Sequence, residues 1–257
     1  MRASRHDDTV MDALWDWFRW LKSAHGVNLT IAYDAFDRAR FIDGFATTLW
    51  LSALCVVASV AIGLVGAWLQ GSRFTLTRRL VQGYIQFFRS TPPLVQLYFF
   101  YFALGGLLRL PGDGAQGAPL FSNFGWAAIA LSFFAGAFNV EIFRAGLEAV
   151  PRTIYEAAES LGYGRFKTYV HIVLPLAFRI SLPALNNNLV NLIKTTTLAY
   201  AIGVPELLYV SAQIWSDELN VREMMNVLLV CYVAIVGVLV WVMGRWERAL
   251  TLPGFRH

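Results

Sequence analysis

The sequence predicts an all-α integral membrane protein with five transmembrane helices, and three observations lead there. Of its 257 residues, 57% are hydrophobic and only 15% charged, with a mean hydropathy of +0.51. Charged residues make up about a quarter of a typical soluble domain. The charges are also segregated: no Asp, Glu, Lys or Arg occurs from Gly44 to Ser72, Ser90 to Leu108, Gly114 to Val140 or Met224 to Gly244. Each gap accommodates the roughly 20 residues that cross a hydrocarbon core. A fifth segment, Leu182 to Val204, is apolar apart from its asparagines and Lys194.

Residues 1–43 form a tail before the membrane domain, residues 44–250, and residues 251–257 form a second tail. In the first tail Met11, Leu14, Trp15, Phe18 and Leu21 recur at helical spacing, with Trp17 and Trp20 beside them. That pattern predicts an amphipathic helix lying at the membrane surface with its tryptophans at headgroup level. The first span, 44–70, is too long for the apolar core of a cleavable signal peptide, so it is expected to persist as an anchor. Its Gly63 and Gly66 permit close helix packing. Before the second span, 91–109, Arg78–Arg89 mixes basic and apolar residues and predicts an interfacial helix. Ser90-Thr91-Pro92-Pro93 then reads as a fresh helix start, a hydroxyl cap followed by proline in the first turn. The glycine- and proline-rich stretch 105–119 is an external connector. The remaining spans are 124–145, 182–204 and 223–245. Cys55 and Cys231 both fall in apolar spans, without metal or disulfide spacing.

Basic residues are retained on the cytoplasmic side of short loops. Segments 70–89, 141–182 and 245–257 hold twelve of them, whereas the alternate loops hold only Arg109 and Arg222. This predicts an outside N-terminus and a cytoplasmic C-terminus. The first tail opposes the trend with six basic residues, but it also carries seven aspartates.

Segment 150–176 is the long cytoplasmic loop. Thr153 and Glu156 fit a capping box at the start of a short helix. Ala157 and Ala158 give that helix a small-residue face, and Gly162 and Gly164 end it. Ile172, Leu174 and Pro175 lead back towards the membrane. Glu156-Ala157-Ala158, Gly162, Ile172, Leu174 and Pro175 together resemble the cytoplasmic signature of ABC importer permeases, EAA-x3-G-x9-I-x-L-P. Phe87–Leu104, Ala135–Leu147 and Leu192–Leu207 are similar to the polar amino-acid uptake branch, which includes histidine, glutamine and arginine permeases. The resemblance covers roughly residues 44–254.

That resemblance implies the type I importer permease fold, with the loop forming a coupling helix on a separate ATPase. It implies as partners a second permease subunit, identical or homologous, an ABC ATPase dimer, a periplasmic or extracellular substrate-binding protein, membrane lipid and an amino-acid substrate or related compound such as an opine. It implies no nucleic-acid partner. ATP and Mg would be used by the ATPase subunits, with no cofactor bound by this chain, in a bacterial inner membrane. Two departures from the branch stand out. Thr153-Ile154 replaces a usual Gly-Gln, and Lys194-Thr195-Thr196-Thr197-Leu198 replaces Lys-Asp-Thr-Ser-Leu.

Polar groups at membrane depth are costly and point to a pathway or to bonds between helices. The candidates are Asn139, Glu141, Asn186, Asn187, Asn188, Asn191, Lys194 and Glu206. Glu141 and Arg144, three apart on a helix, are expected to pair. No P-loop is present, because the region around Gly162–Thr168 lacks its second glycine. His171 is expected to be an interfacial residue. An integral-membrane enzyme using Glu141, Lys194 and His171 is a competing reading, as is a channel, which calls for a filter or ring of like charges. Deleting the loop separates these: a transporter loses ATPase association and uptake, an enzyme or channel need not.

Overall fold

A computed structural model describes residues 4–111 and 118–250, with side chains described from residue 14 to residue 249. The second tail, 251–257, and the side chain of Met11 lie outside the described residues. Ten helices follow in order: α1 (Ser4–His25), α2 (Thr30–Tyr33), α3 (Ala35–Gln70), α4 (Thr75–Ser90), α5 (Pro93–Leu107), α6 (Asn123–Glu148), α7 (Arg152–Ser160), α8 (Arg165–Ile202), α9 (Leu207–Glu218) and α10 (Val221–Leu250). A two-residue hairpin pairs β1 (Arg109–Leu110) antiparallel to β2 (Ala118–Pro119) between α5 and α6.

Four helices, α3, α6, α8 and α10, are long and apolar enough to cross a membrane. The second expected span, α5, is shorter: six α, six π and three α residues, about 22 Å at the α-helical rise. Pro93 sets its first turn and the chain leaves helical geometry at Leu108. The expected hydroxyl cap is absent there. Thr91 Oγ1 instead donates back to Phe87 O (2.7 Å), and Gln96 Nε2 reaches back to Phe88 O, Thr91 O and Thr91 Oγ1.

α3 begins nine residues before the charge-free run. The Asp34 carboxylate accepts from the Phe36 and Asp37 amides, both at 2.9 Å, and so starts the helix at Ala35. α3 and α6 share the most extensive helix–helix interface. Added side chains on Gly63 and Gly66 would overlap Asn139 and Val140, and one on Gly136 would overlap Ile62. Leu51, Leu97, Leu131 and Leu192 fill the core where α3, α5, α6 and α8 meet. Cys55 is buried and donates weakly to Ala128 O, so it acts as a small packing group.

α9 has no counterpart among the expected elements. Glu206 starts it, accepting from the Leu208 and Tyr209 amides at 2.9 and 2.8 Å. The same carboxylate accepts from Tyr232 Oη on α10 (3.0 Å), while Thr48 Oγ1 on α3 accepts from the Leu207 amide (2.9 Å). A single polar knot therefore fixes α3, α9 and α10 together.

Candidate functional site

The loop expected to couple is two helices and a turn. α7 starts at Arg152, two residues earlier than the capping box predicts. Pro151, held near φ −60°, takes the N-cap position with no side-chain bond, and its carbonyl accepts from the Ile154 amide (3.1 Å). Thr153 consequently lies inside the helix and caps nothing. Glu156 and Ala157 are exposed, whereas Ala158 is buried towards the start of α8.

The turn between them is a Schellman motif. Gly162 adopts φ +80°, the Tyr163 amide donates to Ala158 O (3.0 Å), and the Gly162 amide donates to Glu159 O (2.9 Å). Those are the two bonds that close a helix whose C′ residue is left-handed. Gly162 is therefore there for its backbone, because a Cβ would meet nothing within 4 Å. Gly164 differs: at φ −69° it is an ordinary extended residue flanking the next helix.

The second half of the loop is the first part of α8, a continuous helical run from Arg165 to Ile202. Ile172, Leu174 and Pro175 lie within that run. A π-turn at Tyr169–Val173 precedes Pro175, which has no N–H to close an ordinary α turn, and such bulges absorb the defect. Val150, Val173 and Ala177 pack together beneath the loop, and Ile154 of α7 packs against them, which holds α7 to α8. Leu161, Tyr163 and Phe166 remain exposed, Leu161 at 77% and Phe166 at 79%. An apolar surface of that kind on a charged loop suits a protein partner. His171 is exposed, with Nδ1 3.1 Å from Lys167 O.

The polar residues at membrane depth separate into two groups. Asn139, fully buried, accepts from Asn188 Nδ2 (2.8 Å), and Asn188 also donates to Ala135 O (3.1 Å). These two bond α6 to α8. Asn187, Asn191 and Lys194 instead form an exposed stripe at i, i+4 and i+7 on α8, opposite Leu185, Leu189 and Leu192, which face the core. No other described residue hydrogen-bonds or ion-pairs with the Lys194 ammonium. The three threonines that follow are all committed to the backbone: Thr195 Oγ1 donates to Asn191 O, Thr196 Oγ1 to Ile193 O and Thr197 Oγ1 to Lys194 O, at 2.7–2.8 Å. These bonds lie where the helix tightens to 3-10 geometry, and they leave Lys194 as the one ionic group on that face.

The expected Glu141–Arg144 pair is not formed. Glu141 pairs with Arg89 at the end of α4, and Arg144 pairs with Glu148 one turn on (3.5 Å). The Arg89 guanidinium also lies 5.4 Å from the centre of the Phe138 ring. Sequence spacing along one helix could not reveal a partner 52 residues away. Asn186 is half-buried, with its Oδ1 unpartnered among the described residues. Glu206 sits at 1% exposure in the knot described above. Its oxygens serve the fold rather than an open path.

A helix pair joined to a polar-striped span agrees with sequence comparison. Residues 59–251 match the family described as binding-protein-dependent transport system inner membrane component. The chain belongs to this family. It is a multi-pass permease subunit of an ABC importer, a transport component rather than an enzyme. The histidine/lysine/arginine/ornithine transport system permease protein HisM of Salmonella typhimurium is 32% identical over 82% of this chain and 90% of its own length. The glutamine transport system permease protein GlnP of Escherichia coli K12 is 30% identical over 82% and 93%. A solved amino acid ABC transporter with histidines superposes with a TM-score of 0.72 and 28% identity, over 82% of this chain and 94% of that one. The MetNI methionine transporter shares the fold, with a TM-score of 0.61 and 20% identity over 82% and 96%.

Proposed function

We propose that this permease translocates polar amino acids or related compounds, opines included, across the bacterial inner membrane. ATP hydrolysis with Mg on two separate ATPase subunits drives it. The observation that carries this reading is the α7–turn–α8 unit. It presents Glu156, Ala157, Gly162, Leu174 and Pro175 at the surface, backed by buried Ala158 and half-buried Ile172. A docked helix transmits motion only if it is stiff and rigidly joined to what must move. The Schellman turn and the Val150–Val173–Ala177 cluster supply that joint.

The working unit is a pair of permeases, identical or homologous, with an ATPase dimer and an external substrate-binding protein. The N-terminus lies outside and the C-terminus in the cytoplasm, with residues 1–43 and 251–257 as tails of a membrane domain over 44–250. The translocation pathway runs along the exposed stripe of Asn187, Asn191 and Lys194, with the Arg89–Glu141 pair on its cytoplasmic flank and the Asn139–Asn188 bond fixing α8 against α6. An unpaired ammonium facing lipid costs about 2.5–3.5 kcal/mol on insertion scales, which favours an aqueous or subunit-lined setting for Lys194.

The experiment is to purify the complex with its partner subunits, reconstitute it in proteoliposomes, and measure ATP-dependent uptake of a panel of amino acids presented by the binding protein. Uptake that survives deletion of residues 152–164 would falsify the docking role of the loop. Uptake of no member of the panel would overturn the substrate class.

A further inference from the structure

The family match begins at residue 59, yet the chain ahead of it is tied firmly to the permease. Asn28 is buried at the centre of the attachment. Its Nδ2 donates to Glu218 O and Glu218 Oε2 (both 3.3 Å), its Oδ1 accepts from Tyr33 Oη (2.6 Å), and its backbone carbonyl accepts from Asn220 Nδ2 (3.0 Å). Lys22 reaches Glu218 (3.6 Å), and Arg40 bridges Asp37 and Asp217. Residues 14–40 are thus bonded to the turn between α9 and α10 on several sides.

Two independent helices give the depth of this clamp. Asn220 lies four residues before Met224, where the charge-free run of α10 begins, and Arg40 lies four before Gly44, where that of α3 begins. At 1.5 Å per residue both place the clamp about 6 Å beyond the apolar runs. The polar headgroup layer is about 5–8 Å thick on each side. α1 touches this level near two points of its length: the Arg38 guanidinium lies 5.0 Å from the Trp15 ring, and Lys22 meets Glu218 seven residues later. A helix held at one depth at both points lies along the membrane plane.

Within the expected apolar arc of α1, Trp15, Phe18 and Leu21 are half-buried, whereas Leu14, and Trp17 and Trp20 beside the arc, are about half exposed. Asp16 and Ser23 lie on the remaining polar side. We propose that residues 4–40 form a lipid-seated clamp: Asn28 locks α1 to the α9–α10 turn, and Trp17 and Trp20 seat in the headgroup layer of the adjoining leaflet. The occupant of this face is the bilayer, because the face is continuous in depth with the lipid-spanning helices and its aromatic pair is of the kind that concentrates at that boundary. Ser4–His25 carries three basic and four acidic residues, so the seat does not depend on anionic lipid.

Spin labels test this on the full-length chain in nanodiscs of phosphatidylethanolamine and phosphatidylglycerol. Labels are placed by W17C, W20C, D16C and S23C, with Cys231→Ala as background. The expected result is that labels at 17 and 20 relax with oxygen at least fivefold more readily than with a water-soluble nickel chelate, and that those at 16 and 23 show the reverse. Equal nickel access at all four sites would overturn the lipid seat. So would labels at 17 and 20 shielded from both reagents, which would mean that protein covers this face. Replacing phosphatidylglycerol by phosphatidylcholine should leave the pattern unchanged; a loss of contrast would refute the aromatic seat. Asn28→Ala should release the label at 17 to nickel, and Asn220→Ala, which removes one bond and keeps the Asn28 side chain, should do so in part. An unchanged depth in both variants would overturn the clamp.

Discussion

Gly162 gives the most decisive single test of the coupling surface. Its φ of +80° closes the Schellman turn, and a Cβ there would meet no neighbour within 4 Å. Any effect of substitution must therefore come through the backbone rather than through a clash. A non-glycine residue in left-handed geometry costs about 1–2 kcal/mol, with Asn at the low end and β-branched residues at the high end. If the turn must be formed for docking, that cost lowers apparent ATPase affinity by about 5- to 30-fold, since 1.4 kcal/mol is a factor of ten. Gly162→Asn, Gly162→Ala and Gly162→Val should thus weaken coupling in that order, and Gly164→Ala, at φ −69°, should be silent. The assay is ATP hydrolysed per substrate imported in proteoliposomes, with ATPase recovery in the purified complex measured alongside. The reasoning fails if Val at 162 couples like glycine, or if Gly164→Ala is as damaging as Gly162→Val.

Four further outcomes follow from the same geometry. Lys194→Met should change the ranking of imported amino acids in competition uptake, while Thr195→Val, whose hydroxyl is already committed to Asn191 O, should not. Arg89→Glu and Glu141→Arg should each depress uptake, and the double exchange should recover much of it; no recovery in a double-mutant cycle would deny the pair a shared role. Gly66→Val should destabilise the detergent-solubilised chain by about 1–3 kcal/mol through overlap with Val140, read as a lower unfolding midpoint. Leu219 is 88% exposed at φ +54°, so Leu219→Gly should stabilise by about 1 kcal/mol; an unchanged midpoint would remove the strain argument.

The spacing of charges made α3, α6 and α10 readable in the sequence, because lipid excludes unpaired charge over a full membrane thickness, and α8 was readable from its apolar composition in spite of Lys194. The glycine turn was equally legible, since few residues other than glycine close a helix in left-handed geometry. What was not legible depends on contacts distant in sequence or on local competition. α9 was missed because a buried carboxylate looks like a pathway residue until Leu208, Tyr209 and Tyr232 are seen around it. The Glu141 partner was missed for want of α4 in space. The Thr153 cap failed because Pro151 reached the N-cap position first, and the side of α1 that meets the permease was not legible because periodicity locates an apolar arc without saying which part meets protein.

The continuity of α8 has a mechanical consequence. One helical rod carries Leu174 and Pro175 near the seat and Lys194 twenty residues further on, about 30 Å away. Because the Val150–Val173–Ala177 cluster joins the loop rigidly to this rod, a tilt of about 10° imposed at its loop end sweeps Lys194 through roughly 5 Å, close to one helical pitch. A small angular displacement at that end gains the longest lever arm.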